Sequence, residues 1–456
     1  MSRTALQAFG PLFAATLCAF AQDQPAASVQ TDPQRVEPPK PAVVKPPVPK
    51  GLRFEFRNHP SIRDGDWLRI DLRLKFQHDF RTFEPELAAD EGELANLRRL
   101  RVGIEGYVTK SLEYAVEREL RNEIGNLLDL RYRETHALWR DVYGNFRYFR
   151  RAQLRFGQFK IPFGMDQLKY GTNGEFVFRS LIGNFLAPGR DVGVMLHGRL
   201  SNGRIAYQAG LFRNDGWRAH TKEYERSGQR TFAGRIVLPP FSFFSPKAFQ
   251  PLQNLELGLA IAESPITEGM RSLRGRTWVI THPWFDRVFV RGHRLRTGVE
   301  LNWEPGPFVV KGEYIRVRDQ RLGQGLRGED LPDLIGQGWY FTTGWVVTGE
   351  NTSGGVRPRK DFVSGKGIGA IQVVARYEQL RFGSADHPGS PSRSPRAANL
   401  EAASERIATF GINWYWNRFM RIQINLMREV IEDVQKVPVI GIDTYWSRFV
   451  RIQFVL

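Results

Sequence analysis

From Trp67 to Gln77 the chain reads W-L-R-I-D-L-R-L-K-F-Q, with Leu68, Ile70, Leu72, Leu74 and Phe76 on one face and Arg69, Asp71, Arg73, Lys75 and Gln77 on the other. Successive side chains of a strand point to opposite faces, so this period of two predicts a β-strand with one apolar and one charged side. The pattern returns at Leu100-Val102-Ile104, Leu128-Leu130-Tyr132, Ala152-Leu154-Phe156, Leu255-Leu257-Leu259-Ile261, Val299-Leu301-Trp303 and Met420-Ile422-Ile424-Leu426. It reaches the last residues, where Val450, Ile452, Phe454 and Leu456 alternate with Arg451, Gln453 and Val455. Such runs, separated by Gly, Asn, Asp and Pro, fill 51–456 as one all-β domain.

Alternation alone also fits a soluble sandwich, whose sheets each have one wet face. In a sandwich the apolar faces pack together; in a membrane barrel they meet lipid, between aromatic girdles at both interfaces. The runs G-W-Y-F-T-T-G-W-V-V (338–347) and N-W-Y-W (413–416) suit such girdles. Long polar segments, Arg213–Thr231, Asp319–Gly336 and Phe382–Glu405, alternate with much shorter connections. Roughly 25 residues per strand and connection turn about 400 residues into about 16 strands, so the expected fold is a transmembrane antiparallel β-barrel.

The N-terminus adds a compartment. Arg3, the apolar stretch Ala5 to Leu17 and the small-x-small site Ala19-Phe20-Ala21 read as a signal peptide over 1–21, implying export to the outer membrane of a Gram-negative-type bacterium. The single cysteine, Cys18, falls inside that segment, so the exported chain is expected to carry no thiol for disulfide, metal or nucleophile. Residues 22–50 end in P-P-K-P-A-V-V-K-P-P-V-P-K, a polyproline-type periplasmic linker.

Charge then gives the polar face a meaning. Lys and Arg number 65 against 48 Asp and Glu, a net charge of +17, alongside 32 Phe, 11 Trp and 13 Tyr. Cations lining a water-filled lumen raise the potential for anions, and guanidinium offers a planar fork to phosphate oxygens. The candidate pore-lining, anion-binding residues on the polar face are Arg69, Arg73, Lys75, Arg99, Arg101, Arg131, Arg133, Arg151, Arg155, Arg376 and Arg421. Asp71, Glu105, Asp129 and Glu313 share that face, so the expectation concerns an excess of cations in a mixed lumen.

After the strand ending at Phe156 comes G-Q-F-K-I-P-F-G (157–164), then some 25 residues containing Lys169, Phe176, Arg179, Asn184 and Pro188, then R-D-V-G-V-M-L (190–196). Lys160, Lys169, Arg179 and Arg190 of this stretch join the candidate set. From the residues alone it is either an external loop or one folded into the lumen as a constriction. Here the chain resembles the phosphate-selective porin O and P family, in G-Q-F-K-I-P-F-G, F-R-S-L and A-P-G-R-D-V-G-V. Further matches are R-R-L-R-V-G (98–103), Y-Q-A-G-L-F-R-N-D-G (207–216), G-W-Y-F-T-T-G-W-V-V-T-G-E (338–350) and G-I-N-W-Y (411–415). The resemblance implies a 16-stranded homotrimeric outer-membrane porin with an inward third loop at 164–190 and a basic ladder around Arg99, Arg101, Arg151, Arg155 and Lys160. It further implies passage of small inorganic anions, phosphate or polyphosphate, with no cofactor. The chain departs from outer-membrane barrels in closing on Leu456 where Phe is usual.

Other classes fit less well. The eight histidines form no H-E-x-x-H pair, no G-x-S-x-G elbow is present, and G-K-G-I-G (365–369) precedes a strand instead of a helix. An enzyme is not expected, a barrel lipid hydrolase being the alternative, beside a porin of other selectivity. Nucleic-acid binding would gather the charge in one exposed patch, whereas here it is spread along strand faces behind a signal peptide.

Overall fold

The computed structural model describes residues 51–456 except 57–58, 85–94, 121–138, 170, 217–229, 245–249, 268–272, 279–281, 286–287, 364, 366 and 386–401. The signal segment 1–21, the linker 22–50, the strand motif around Leu130 and the candidates Arg131 and Arg133 lie outside the described residues. A hairpin, β1 (Leu52–Phe56) and β2 (Pro60–Asp64), precedes the wall. The wall begins with β3 (Leu68–Glu84), β4 (Ala95–Val108), β5 (Leu112–Glu119), β6 (Trp139–Phe149), β7 (Ala152–Lys160), β8 (Arg190–Leu200), β9 (Ile205–Phe212), β10 (Thr231–Leu238) and β11 (Glu256–Ile266). A separate two-stranded ribbon, β12 (Gly275–Arg276) and β13 (Pro283–Phe285), interrupts it. The wall resumes with β14 (Gly292–Trp303), β15 (Phe308–Arg321), β16 (Leu331–Val346), β17 (Ala370–Ser384), β18 (Ala403–Tyr415), β19 (Met420–Ile431) and β20 (Thr444–Val455).

Sixteen of these strands, β3 to β11 and β14 to β20, close into one antiparallel barrel. The seam joins β20 to β3 from Trp446 opposite Glu84 to Val455 opposite Lys75. Reciprocal bonds between Leu74 and Leu456 extend it. Beyond them β2 takes over the same edge of β3, with Ser61 opposite Asp71 and Asp64 opposite Leu68.

The two faces fall as the alternation requires. In β3, Asp71, Lys75, Gln77, Asp79 and Arg81 are buried inside, while Leu72 and Phe80 are exposed outside. Around the barrel Leu196, Leu259, Val299, Phe410 and Ile424 are exposed on the outer face. Such residues are solvated by hydrocarbon once the wall is in a bilayer. Aromatic pairs flank the belt: Trp339 with Tyr377 (5.7 Å), and Phe362 with Trp414 (4.9 Å).

Two expectations change. The polar segment Asp319–Gly336 is strand at both ends and loop only over 322–330, because inward residues such as Asp319 and Arg321 are charged and mask the alternation. The end opposite the long loops is not uniformly tight either, since 239–255 and 347–369 connect strands there. As a test of the face assignment, Leu259→Arg is expected to lower the unfolding free energy by about 2–4 kcal/mol. Urea titration in lipid vesicles reads this, and an effect below about 0.5 kcal/mol would place residue 259 away from the hydrocarbon.

Candidate functional site

The third long connection, residues 161–189, folds into the lumen. It contains two short helices, α1 (Met165–Leu168) and α2 (Leu181–Phe185), the second capped by Ser180, whose hydroxyl accepts from the Gly183 N–H at 3.1 Å. A loop so placed leaves backbone groups that need partners, and the wall supplies them from strands far away in sequence. Glu313 of β15 accepts the N–H groups of Met165 (2.8 Å) and Asp166 (3.2 Å), and Glu378 of β17 accepts that of Leu181. Asn425 accepts the Val177 N–H at 2.8 Å, while Arg451 donates to the Val177 carbonyl at 2.7 Å. Arg376 donates to the carbonyls of Phe178 (3.2 Å) and Arg179 (3.3 Å), and Arg421 to those of Thr172 (2.9 Å) and Gly174 (3.1 Å).

The loop's apolar side completes the attachment. Phe163, Leu181, Ile182 and Leu186 are buried in one cluster with Phe159, Phe212, Leu380 and Phe382 of the wall. Gly338 on β16 makes room, since a Cβ there would lie 2.6 Å from Cγ2 of Ile182. At the tip, Glu175 bridges Lys169 (3.0 Å) and Lys311 (2.5 Å). Burial by itself would raise the Glu175 carboxyl, but Lys169 and Lys311 outweigh it and hold the group well below the ordinary carboxylate range. Lys169 is lowered, burial being the larger influence and Glu175 opposing it.

Two further segments turn inward that the sequence did not single out. Between β11 and β14, Trp278 stacks on Phe178 (4.6 Å) and its backbone N–H donates to Glu429 (2.7 Å), while the Trp284 indole donates to Glu405 (2.7 Å) and Phe285 stacks on Phe382 (4.5 Å). After β9, Asp215 receives Arg294 (2.6 Å), Arg296 and the Ser264 hydroxyl (2.5 Å). Burial pushes the Asp215 carboxyl up, and Arg296 and Arg294 pull it further down, so it stays charged. The N-D-G of 214–216 was a visible signal for this hub, yet its arginine partners lie about 80 residues downstream, on β14.

The candidate cations sort into distinct surroundings. Arg69 is paired with Asp71, Arg73 with Glu105 (3.7 Å), Lys75 with Glu117, Arg101 with Glu119 (2.7 Å), and Arg190 with Asp141 (2.7 Å). Others donate to neutral oxygens: Arg99 to Gln77 (2.6 Å) and the Gly171 carbonyl (3.2 Å), and Lys160, with Asp141 also acting on it, to the carbonyls of Leu168 (2.9 Å) and Lys169 (2.6 Å). Arg155 lies over the Tyr143 ring at 4.3 Å. Arg179 sits in a cleft between the loop and the wall with Arg98, Arg99 and Lys169. Three candidates need correction. Arg151 is exposed in the turn between β6 and β7, outside the lumen, because β7 begins only at Ala152, one residue later than the alternation suggests. Arg376, ion-paired with Glu378 at 2.8 Å, and Arg421 are buried beneath the loop as its anchors instead of lining open water.

A closed sixteen-stranded barrel with an apolar outside, a charged inside and a loop drawn into the lumen defines a porin. The chain belongs to the phosphate-selective porin O and P family, whose profile matches residues 70–243 and 285–437. In fold it is similar to the anion-selective porin from Comamonas acidovorans, with 11% identity, a TM-score of 0.50, and coverage of 85% of this chain and 99% of that one. It is also similar to the outer membrane channel DcaP of Acinetobacter baumannii, with 8% identity, a TM-score of 0.50, and coverage of 84% and 97%. A search of the curated proteins gives no match. Family and fold together make this chain an outer-membrane porin.

The Glu175 bridge predicts how the loop responds to pH. A carboxyl whose folded value is lowered stabilises the folded loop fully above its ordinary value of about 4.5, and that contribution is lost as the pH falls through the lowered value. Single-channel conductance should therefore hold steady from pH 7 to about 5 and become noisy only in stronger acid. Glu175→Gln, which leaves Lys169 and Lys311 facing each other, should be noisy already at pH 7; a quiet variant would remove the bridge from the loop's anchorage.

Proposed function

We propose that the protein is a passive channel for small inorganic anions of phosphate type, working as a homotrimer after removal of residues 1–21, with 22–50 as a periplasmic spacer. The observation that carries the reading is the kind of partner each cation has. An arginine beside a carboxylate is largely cancelled at a distance, whereas one held by carbonyls, amides or a ring keeps its field. Arg99 and Lys160 donate to amide and carbonyl oxygens and stand in the field of further cations, Arg99 near Arg101, Arg451, Arg98 and Arg179, and Lys160 near Arg179 and Arg190, with Asp141 opposing them at Lys160. The loop is anchored on β15, β17, β19 and β20 and meets β3, β4 and β7 at its other edge through Gln77, Arg99 and Lys160, so ions pass where that edge faces the cluster.

The ion pairs along β3 to β6 set the scale of the effect. Lys75–Glu117 and Arg101–Glu119 alternate sign along the route, so selectivity arises from a local surplus near the loop, and the chemistry is diffusion without covalent steps or cofactor. Those same pairs favour a second reading, a weakly selective general porin. Planar-bilayer reversal potentials in chloride gradients separate the two: the first expects clear anion preference and block of chloride current by millimolar phosphate. R99Q combined with K160Q is expected to weaken the phosphate block by about tenfold, as loss of two charge-assisted contacts would. Cation preference, or block unchanged in the double variant, would defeat the phosphate reading.

A further inference from the structure

The outer face of the barrel carries charge where a lipid-facing wall ordinarily does not. Arg316 and Arg318 of β15, Arg381 of β17, Arg406 of β18, Arg428 of β19 and Arg448 of β20 all occupy outward positions and all are exposed. Each lies toward the long-loop end of its strand. They form a continuous array: Arg316 is opposite Gln337, which is opposite Arg381; Arg406 is opposite Gln379, two positions from Arg381. Arg428 is opposite Ala408, two from Arg406, and Arg448 is opposite Leu426, two from Arg428. Diagonal neighbours of this kind stand about 7–8 Å apart.

Like charges so spaced repel, so the array costs stability unless something anionic covers it. Arg448 has Glu84 (2.7 Å) and Arg318 has Asp333, at the two flanks. Among the described residues, Arg381, Arg406 and Arg428 between them make no ion pair or hydrogen bond. Directly below, toward the apolar belt, stand Tyr314, Trp339 and Tyr377, all exposed, while Trp446 lies level with Arg428. Aromatic residues of this kind mark the level of lipid headgroups. The arginines therefore sit at headgroup depth, above rings that contact acyl chains. At the same end of β7 to β10 the outward strand residues are Gln158, Val192, Leu211 and Phe232, and the exposed Arg213 and Arg230 lie just beyond β9 and β10.

We infer that the outer face of β15 to β20 is a docking surface for a phosphorylated glycolipid of the outer leaflet. The guanidinium groups of Arg381, Arg406 and Arg428 grip its phosphates, and the rings beneath receive its acyl chains. Spacing supports more than one phosphate per lipid, since neighbouring arginines can each engage a separate group, with bidentate geometry available at each. The residues face away from the lumen, so the inference stands apart from anion conduction and survives or fails independently of it.

The test uses the full folded protein in detergent and three probes: bisphosphorylated lipid A, the same lipid enzymatically dephosphorylated, and inorganic phosphate. Native mass spectrometry and the thermal unfolding midpoint report binding. Bisphosphorylated lipid should remain bound and raise the midpoint, dephosphorylated lipid should not, and R381Q/R406Q/R428Q should bind at least about tenfold more weakly. Bilayer conductance of the triple variant, unchanged from the wild type, shows that the barrel is intact. Equal retention of both lipids, equal binding by the triple variant, or displacement of the lipid by millimolar inorganic phosphate would overturn the inference.

Discussion

Hydrocarbon offers no partner to a peptide group, so every N–H and C=O crossing it must be satisfied within the wall. The seam between β3 and β20 is where this chain meets that demand, and the remaining architecture follows from it. Closure fixes the register of all sixteen strands, and because side chains alternate, register decides which residue of each pair meets lipid and which meets the lumen. The handover from Leu456 to β2 along one edge of β3 keeps that edge paired where the last strand ends. Leu456 takes part in the closing bonds through its backbone.

A second demand arises inside. A loop drawn into a barrel brings unpaired carbonyls and N–H groups into a space where water is scarce, and long polar side chains on the opposite wall meet them. Glu313, Glu378 and Asn425 accept N–H groups while Arg376, Arg421 and Arg451 donate to carbonyls, so acids and bases are matched to opposite ends of the peptide dipole. Much of the inward charge is therefore structural. The surplus that acts on a passing ion is the part left over when these anchors and the ion pairs of β3 to β6 have been subtracted.

This division explains what could be read from the sequence and what could not. The faces of β3 and β20 were legible because their period of two is a local property, and the inward loop was legible through the motifs on either side of it. The role of Arg376 was not. Nothing near it in the chain distinguishes an arginine that binds the carbonyls of Phe178 and Arg179, about 200 residues earlier, from one that faces water. Trp284 and Asp215 escaped for the same reason, since their partners Glu405 and Arg294 are far away in sequence and adjacent only once the barrel has closed.

The anchorage of the loop also gives the outer wall a direction. The strands that carry most of the loop's anchors, β15 to β20, hold the outward array Arg316, Arg318, Arg381, Arg406, Arg428 and Arg448, whereas β7 to β10 present Val192, Leu211 and Phe232 there. The loop's anchors lie on the inner faces of strands of the same sector whose outer faces carry these arginines. The wall of β3 to β8 carries ion pairs on its inner face and meets the loop through Gln77, Arg99 and Lys160. In the proposed function one barrel thus separates two tasks by sector: ions pass beside Arg99 and Lys160, where the loop edge meets β4 and β7, while the outer face of β15 to β20 is turned to lipid.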